Sequence, residues 1–146
     1  KLKEKCLEMI VSLPPEPVYI EADPRRIWRV VENLFSNVCK YALEGTRVYL
    51  EIRRVRQDDR EIAVFTMKNI SAQALNIRAE ELTERFIRGD ISRSTEGSGL
   101  GLSIAQNLTT LQKGTFEIYL DGDLFKVQIG FSCLDVPQPE IEIQMR

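Results

Sequence analysis

Apolar residues along the chain follow two spacings, and each spacing predicts one kind of element. From Pro24 to about Ala42 they recur at steps of three and four residues, which predicts an amphipathic α-helix. Asp23 before Pro24 is a typical helix start, and Gly45 is expected to end the helix. The same spacing between Leu100 and Leu111 predicts a second long helix.

Other stretches alternate apolar and polar residues or form short apolar runs, as β-strands do. Two short strands are predicted before the first helix, at Cys6–Leu13 and Val18–Glu21. Two hairpins follow: strands at 48–52 and 61–68 around a turn at 57–60, and strands at 115–120 and 124–131 around Asp121-Gly122.

The fold class follows from the order of these elements. Helices on one side of a mixed, mostly antiparallel sheet predict an α+β protein with a two-layer sandwich, in which residues 1–134 form one domain. A short helix at Ala79–Glu84 is predicted within an irregular stretch from Asn69 to Thr95, and residues 135–146 are expected to be a tail.

Charge and composition limit the classes of partner. The chain has 146 residues, of which 20 are basic and 22 acidic, and its net charge is −2. Because the two signs are interspersed, nothing indicates a nucleic-acid surface or a polybasic membrane patch. The longest stretch free of charge, Gly97–Gln112, is too short and too polar to span a bilayer.

Cysteine and histidine usage narrows the chemistry. Cys6, Cys39 and Cys133 lack metal-site spacing, so we expect reduced thiols in a cytoplasmic setting, buried as small hydrophobes. The absence of histidine excludes an imidazole base, nucleophile or ligand supplied by this chain. Because the chain starts at Lys1 without Met, we expect it to be a piece of a longer protein.

Three glycines, Gly97, Gly99 and Gly101, stand at the start of the second predicted helix. Free N–H groups at a helix start, aligned with the positive end of its dipole, suit a phosphate group. The stretch fits neither the Walker pattern nor the dinucleotide fingerprint. An ordinary structural turn and a phosphate cradle are both compatible with the glycines alone.

A polar stripe runs along the first predicted helix. Asn33, Asn37 and Lys40 fall within a sector of roughly 60° at 100° per residue. Asn is a poor helix former, so two of them in mid-helix need an explanation. The stripe is either a boundary between core and solvent or a site where an Asn oxygen binds Mg²⁺ and Lys neutralises phosphate.

Three stretches resemble the motif boxes of sensor histidine kinases, in the family's order. Residues 32–41 (ENLFSNVCKY) resemble the N-box, residues 84–90 (ERFIRGD) the F-box region, and residues 97–102 (GSGLGL) the second glycine box. The resemblance covers about Cys6 to Phe131 and implies the catalytic and ATP-binding domain, with the Bergerat fold of gyrase, Hsp90 and MutL. Within the family, the chain is most similar to membrane-bound sensors of Gram-positive bacteria.

The resemblance implies a role for individual residues. Asn37 would bind the Mg²⁺ that bridges the phosphates, Lys40 would contact phosphate, and Tyr41 would pack near the nucleotide. Phe86 would help fix the ATP lid, while Arg88 and Arg93 would reach the γ-phosphate or lie on a solvated lid surface. Lys40 and Arg88 are candidate charge stabilisers, and no catalytic residue is assigned. The implied nucleotide-binding set is Asn33, Asn37, Lys40, Tyr41, Asn69, Phe86, Arg88, Arg93, Gly97, Gly99, Leu100 and Gly101.

Two positions depart from the patterns of related proteins. Asn33 stands where the hydrolytic relatives have a Glu that activates water, and an amide cannot act as a general base. The first glycine box, roughly Asp-x-Gly-x-Gly in the family, is replaced by Asn69-Ile70-Ser71-Ala72, without either glycine. The Asn69 amide could accept from the adenine amino group and donate to the neighbouring ring nitrogen. A loss of nucleotide affinity is the competing hypothesis.

The resemblance therefore implies a domain that binds Mg²⁺-ATP and presents the γ-phosphate to a histidine outside this chain. That histidine would lie on a dimerising helical hairpin preceding the domain, with a response regulator as the next partner and a homodimer only in the full-length protein. The parent would be a membrane-anchored sensor with this part in the cytoplasm. A non-catalytic nucleotide-binding or interaction module is the alternative. An ATPase or serine kinase of the same fold is a third reading, against which Asn33 argues.

Overall fold

The computed structural model describes residues 5–73 and 100–134, which form a five-stranded sheet and two long helices. In chain order the elements are β1 (Glu8–Ser12), α1 (Pro24–Tyr41), β2 (Arg47–Gln57), β3 (Arg60–Ile70), α2 (Leu100–Leu111), β4 (Thr115–Asp121) and β5 (Leu124–Ser132). The strand order is β1-β2-β3-β5-β4, with β1 and β2 parallel and the other pairs antiparallel. This mixed, mostly antiparallel sheet confirms the predicted fold class.

Both helices pack on the same face of the sheet. Side chains alternate between the two faces of a strand, so Phe65, Met67 and Asn69 of β3 share one face. Met67 pairs with Val127 of β5, and both are buried. The buried apolar cluster combines helix and strand residues: Val30, Leu34, Val38, Leu102, Ala105, Val48, Met67, Phe125, Val127, Ile129 and Phe131. The core therefore lies between the helical layer and the sheet.

The structure confirms the predicted start of α1 and places its end earlier than predicted. The Asp23 carboxylate accepts a hydrogen bond from the Arg25 N–H at 2.9 Å, and Pro24 is the first helical residue. The helix ends at Tyr41 because Ala42 turns to an extended conformation and forms an isolated bridge with Ser71. Gly45, predicted to end the helix, lies in the following turn with a φ of +80°.

Two strand predictions need correction. The first strand is shorter than the predicted Cys6–Leu13, and the predicted strand Val18–Glu21 is wrong, since only Ile20 pairs, in an isolated bridge with Cys133. Pro14, Pro15 and Pro17 in the preceding segment lack N–H donors, so a regular ladder of backbone hydrogen bonds cannot form along that segment. The predicted helix 79–84 and the tail 135–146 lie outside the described residues.

None of the three cysteines, all within the described residues, forms a disulfide. The expectation that they are buried hydrophobes is wrong for Cys6, which is exposed and has a positive φ of 54°. Cys39 and Cys133 are half-buried, and partial burial raises the pKa of the Cys133 thiol. No helix within residues 5–73 and 100–134 combines the length and apolar character needed to cross a membrane.

The helices run antiparallel because their ends are tied together. The Asp23 N–H at the start of α1 donates to the side-chain oxygen of Gln112, just after α2, at 2.7 Å. The end of α2 is a Schellman motif, in which the N–H of Gly114 donates to the Thr109 carbonyl at 2.9 Å. The residue that must adopt the left-handed conformation in this motif is Lys113, with a φ of 68°.

We expect Lys113→Gly to raise the free energy of unfolding by up to about 1 kcal/mol, because glycine adopts positive φ without a Cβ clash. Urea denaturation followed by circular dichroism measures the change. Lys113→Ala is the matched control and should bring no gain, since it removes the charge and keeps the Cβ. A lower denaturation midpoint for the glycine variant than for the alanine variant would contradict this account.

Candidate functional site

The polar stripe of α1 lies at the edge of the core. Asn37 is 9% exposed and shares the buried side of the helix with Leu34 and Val38. Asn33, one turn earlier, is half-buried, and Lys40 is exposed near the end of the helix. The helix therefore holds one amide at the rim of the hydrophobic core and places a cation at the solvent side of the same stripe.

The start of α2 lies beside this stripe. A Cβ built on Gly101 would lie 3.9 Å from the carbonyl oxygen of Asn33, which places the first turn of α2 next to the middle of α1. The first N–H groups of a helix have no partner within the helix and carry the positive end of its dipole. The fold thus brings the first described turn of α2 close to the backbone of α1 at Asn33.

Within the described part of the chain, neither the backbone conformation nor the packing requires glycine at position 101. Its φ does not lie in the left-handed region, and 3.9 Å is an ordinary contact distance, so a methyl group would fit there. Glycine in a helix is less favourable than alanine by up to about 1 kcal/mol. A residue that weakens the helix without easing the packing of described neighbours suggests that the open space serves a ligand.

Asn69 lies on the helix-facing side of β3, close to the end of that strand. It is 3% exposed and pairs with Phe125 of β5. Just beyond it, the end of β3 is joined to the end of α1, since the Ala72 N–H donates to the Tyr41 carbonyl at 2.8 Å. The Leu43 N–H donates to the Ile70 carbonyl at 2.7 Å in the same joint. Asn69 and the last turn of α1 are therefore held together by backbone hydrogen bonds.

Three buried polar atoms of the predicted site residues have no hydrogen-bond partner within the described part of the chain. They are Nδ2 of Asn33, the hydroxyl of Tyr41 and Oδ1 of Asn69. A fourth such atom, Oγ1 of Thr66, belongs to the opposite face of the sheet. Buried polar atoms are normally paired, and leaving one unpaired costs about 1–3 kcal/mol. Three such atoms, one in the middle of α1 and two at the joint between α1 and β3, indicate that a polar ligand completes the site.

A separate cavity of about 530 Å³ does not coincide with these residues. It lies between the first half of α1, the proline-rich segment before it and the sheet, and its lining includes Ile27, Val31, Phe65 and Phe131. None of the predicted site residues lines it, and its walls are mostly apolar. A charged ligand such as a triphosphate would find few partners there.

The predicted site residues divide into two groups. The structure brings Gly101 to Asn33 and joins the strand end that carries Asn69 to Tyr41. Leu100 is the first residue of α2. The remaining members of the predicted set, Phe86, Arg88, Arg93, Gly97 and Gly99, lie outside the described residues.

Sequence reasoning missed the residues that hold the site together. Ala42 and Ser71 form the bridge between α1 and β3, and the Ser71 hydroxyl accepts from the Gln73 N–H at 3.2 Å. Neither residue has a sequence signal for this role, because the pairing is between positions 29 apart that meet only in the folded chain. Within the described ranges, no group of three or more His, Cys, Asp or Glu side chains could hold a metal ion.

Comparison with known proteins identifies a family model that covers most of the chain. Residues 22–133 match the model described as "Histidine kinase-, DNA gyrase B-, and HSP90-like ATPase". The sensor histidine kinase WalK of Bacillus subtilis is 32% identical over 77% of this chain and 18% of its own length. The sensor histidine kinase RppB of Synechocystis is 30% identical over 88% of this chain and 30% of its own length. The chain thus spans less than a third of these relatives.

Solved structures show the same fold. The mycobacterial sensor histidine kinase MprB superposes with a TM-score of 0.69 at 21% identity, covering 90% of this chain and 86% of the other. Full-length ShkA in complex with AMPPNP superposes with a TM-score of 0.70 at 22% identity, covering 94% of this chain and 28% of the other. At these identities the likeness concerns the arrangement of helices and strands.

We expect Asn69→Leu to stabilise the nucleotide-free domain by about 1–2 kcal/mol, because it replaces an unpaired buried amide with an apolar side chain of similar shape. Thr66→Val is the matched control on the opposite face and should stabilise by about 1 kcal/mol for the same reason. Chemical denaturation in the absence of any ligand measures both. If Asn69→Leu lowers the denaturation midpoint, the amide makes a bond that supports the fold.

Proposed function

The chain belongs to the histidine kinase-, DNA gyrase B- and HSP90-like ATPase family, and we propose that it binds Mg²⁺-ATP and presents the γ-phosphate to a histidine outside this chain. It would thus act as the catalytic domain of a two-component sensor histidine kinase. The observation that carries the proposal is the set of unpaired buried polar atoms on Asn33, in the middle of α1, and on Tyr41 and Asn69, at the joint where α1 and β3 end.

The phosphate end of the site is assigned to α1 and the start of α2. Asn37 offers an amide oxygen, a hard ligand that suits Mg²⁺. Mg²⁺ in nucleotide sites usually keeps several waters and takes only one or two protein ligands, so a single asparagine fits. When bound, the ion neutralises phosphate charge. Lys40, exposed on the same stripe, would supply a cation, and the N–H groups around Gly101 would face a phosphate.

The base end is assigned to Asn69 and Tyr41. Both contribute a buried polar atom without a described partner, and Asn69 is surrounded on its own strand face by apolar residues such as Met67 and Phe125. An uncharged, largely apolar site with a donor and an acceptor suits a purine ring rather than a phosphate group. The ShkA structure, which shares the fold, holds an ATP analogue.

The proposed chemistry depends on positioning. A ring nitrogen of the acceptor histidine would bond to the γ-phosphorus while the bond to the ADP oxygen breaks, and such transfer needs alignment and charge stabilisation more than covalent help from the protein. The chain has no histidine, so the acceptor must come from elsewhere. Asn33 cannot act as a general base, which would keep hydrolysis slow and leave ATP for transfer.

The wider assignments follow from the same proposal. The parent protein would carry the acceptor on a dimerising helical hairpin before this domain and would pass the phosphate to a response regulator. This domain would work on the cytoplasmic side of a membrane-anchored sensor. Phe86, Arg88, Arg93, Gly97 and Gly99 would complete the lid and the phosphate cradle.

One feature favours a second candidate function. The first glycine box lacks both glycines, and Asn69 stands in place of its Asp. A domain that binds nucleotide without transferring phosphate, or an interaction module, would tolerate these changes. Nucleotide binding without transfer to a supplied acceptor would favour this candidate over the kinase.

We expect this chain to phosphorylate a supplied phosphoacceptor hairpin, and Asn37→Ala to reduce the rate by about 10- to 100-fold, because the variant removes an Mg²⁺ ligand. Transfer of label from γ-labelled ATP, with the acid lability typical of phosphohistidine, is the measurement. Thr66→Val, on the far face of the sheet, is the control and should keep the wild-type rate. An Asn37→Ala variant as active as wild type would remove this residue from the site.

We expect Gly101→Ala to raise the stability of the domain and to weaken its binding of Mg²⁺-ATP. The methyl group fits the described neighbours and favours the helix, so the free energy of unfolding should rise by up to about 1 kcal/mol. The same methyl group would occupy space near the phosphates, so the affinity for Mg²⁺-ATP in calorimetry should fall. Unchanged affinity in a stabilised variant would show that the space beside Gly101 is not part of the site.

A further inference from the structure

The Oδ1 atom of Asn69 is not held by a hydrogen bond within the described part of the protein. Asn69 is only 3% exposed, and its Oδ1 has no hydrogen-bond partner among the described residues. Which end of an amide is oxygen and which is nitrogen is decided by the partners of the two atoms. Without such a partner, a half-turn about the last side-chain bond breaks no hydrogen bond of Oδ1.

An amide that can present either end matches the ring edges of both purines. Adenine offers an amino donor beside a ring-nitrogen acceptor, and guanine offers a carbonyl acceptor beside a ring N–H donor. The Asn69 amide has one acceptor and one donor group, so it fits adenine in one orientation and guanine in the other. A carboxylate at the same position only accepts, and it would face the guanine carbonyl oxygen without a proton between them.

We propose that this site accepts guanine nucleotides as well as adenine nucleotides, with Asn69 as the specificity-determining residue. The inference rests on the proposed function, because it requires a nucleotide whose base lies at Asn69. It goes further in naming the class of ligand, purine nucleoside triphosphates in general. The relaxed choice of base is a consequence of the amide at this one position.

The neighbours of Asn69 in the sheet do not read the polar edge of a base. Its β5 partner Phe125 and its neighbour Met67 on the same strand face are apolar and buried, so they contact a ring without distinguishing its polar edge. The cation next in sequence, Lys68, lies on the opposite face and places its ammonium group 5.5 Å from the centre of the Tyr49 ring. The amide is therefore the group on this part of β3 that can read the base.

The test is a titration of wild type, Asn69→Asp and Asn69→Ala with Mg²⁺-ATP, Mg²⁺-GTP and Mg²⁺-CTP by calorimetry. Wild type should bind ATP and GTP with dissociation constants within about tenfold of each other, and CTP much more weakly. Asn69→Asp should keep ATP binding and weaken GTP binding by about tenfold or more. Asn69→Ala should weaken ATP and GTP by similar factors, and Thr66→Val should change neither.

The outcomes separate this inference from the function on which it rests. If wild type binds none of the nucleotides, the proposed function fails. If it binds ATP and rejects GTP by a hundredfold or more, the proposed function stands and the inference fails. Equal binding of CTP would show that the triphosphate alone is recognised, and wild-type affinities in Asn69→Ala would remove this residue from the site. Both outcomes overturn the inference. If Asn69→Asp does not fold, the inference is decided by the ratio of the ATP and GTP affinities of wild type and by the affinities of Asn69→Ala.

Discussion

The backbone joint between the end of α1 and the end of β3 is the interaction on which the candidate site depends. Ala42 and Ser71 form a bridge there, flanked by hydrogen bonds from the Leu43 N–H to Ile70 and from the Ala72 N–H to Tyr41. This joint stops α1 four residues before Gly45 is reached and fixes Asn69 beside the last turn of the helix. A helix continuing past Tyr41 would lose the extended residues that make these bonds, and the two halves of the site would separate.

A second constraint is the antiparallel arrangement of the two helices. The bond between the Asp23 N–H and Gln112 holds the beginning of α1 against the end of α2. The beginning of α2 must then lie near the middle of α1, where Gly101 meets Asn33. The first turn of α2 and the middle of α1 therefore lie side by side in this antiparallel arrangement.

The residues of the candidate site also reduce the stability of the ligand-free domain. Unpaired buried atoms on Asn33, Tyr41 and Asn69 each weaken the free domain, and glycine at 101 weakens α2. These features lie on α1, at the start of α2 and near the end of β3, beside an apolar core that includes Val30 of α1 and Phe131 of β5. Such local departures from favourable packing are typical of binding sites, where a ligand restores the missing partners.

The sequence by itself determined the regular elements and the family. Helical spacing in α1 and α2 and alternation in the two hairpins depend on neighbours a few positions away, so they can be read along the chain. The polar stripe of Asn33, Asn37 and Lys40 was visible for the same reason. Tertiary structure decided what depends on distant pairing: the end of α1 at Tyr41 and the burial of the Asn69 amide without a partner for its oxygen. These follow from contacts between residues far apart in the chain, which no local pattern of residues encodes.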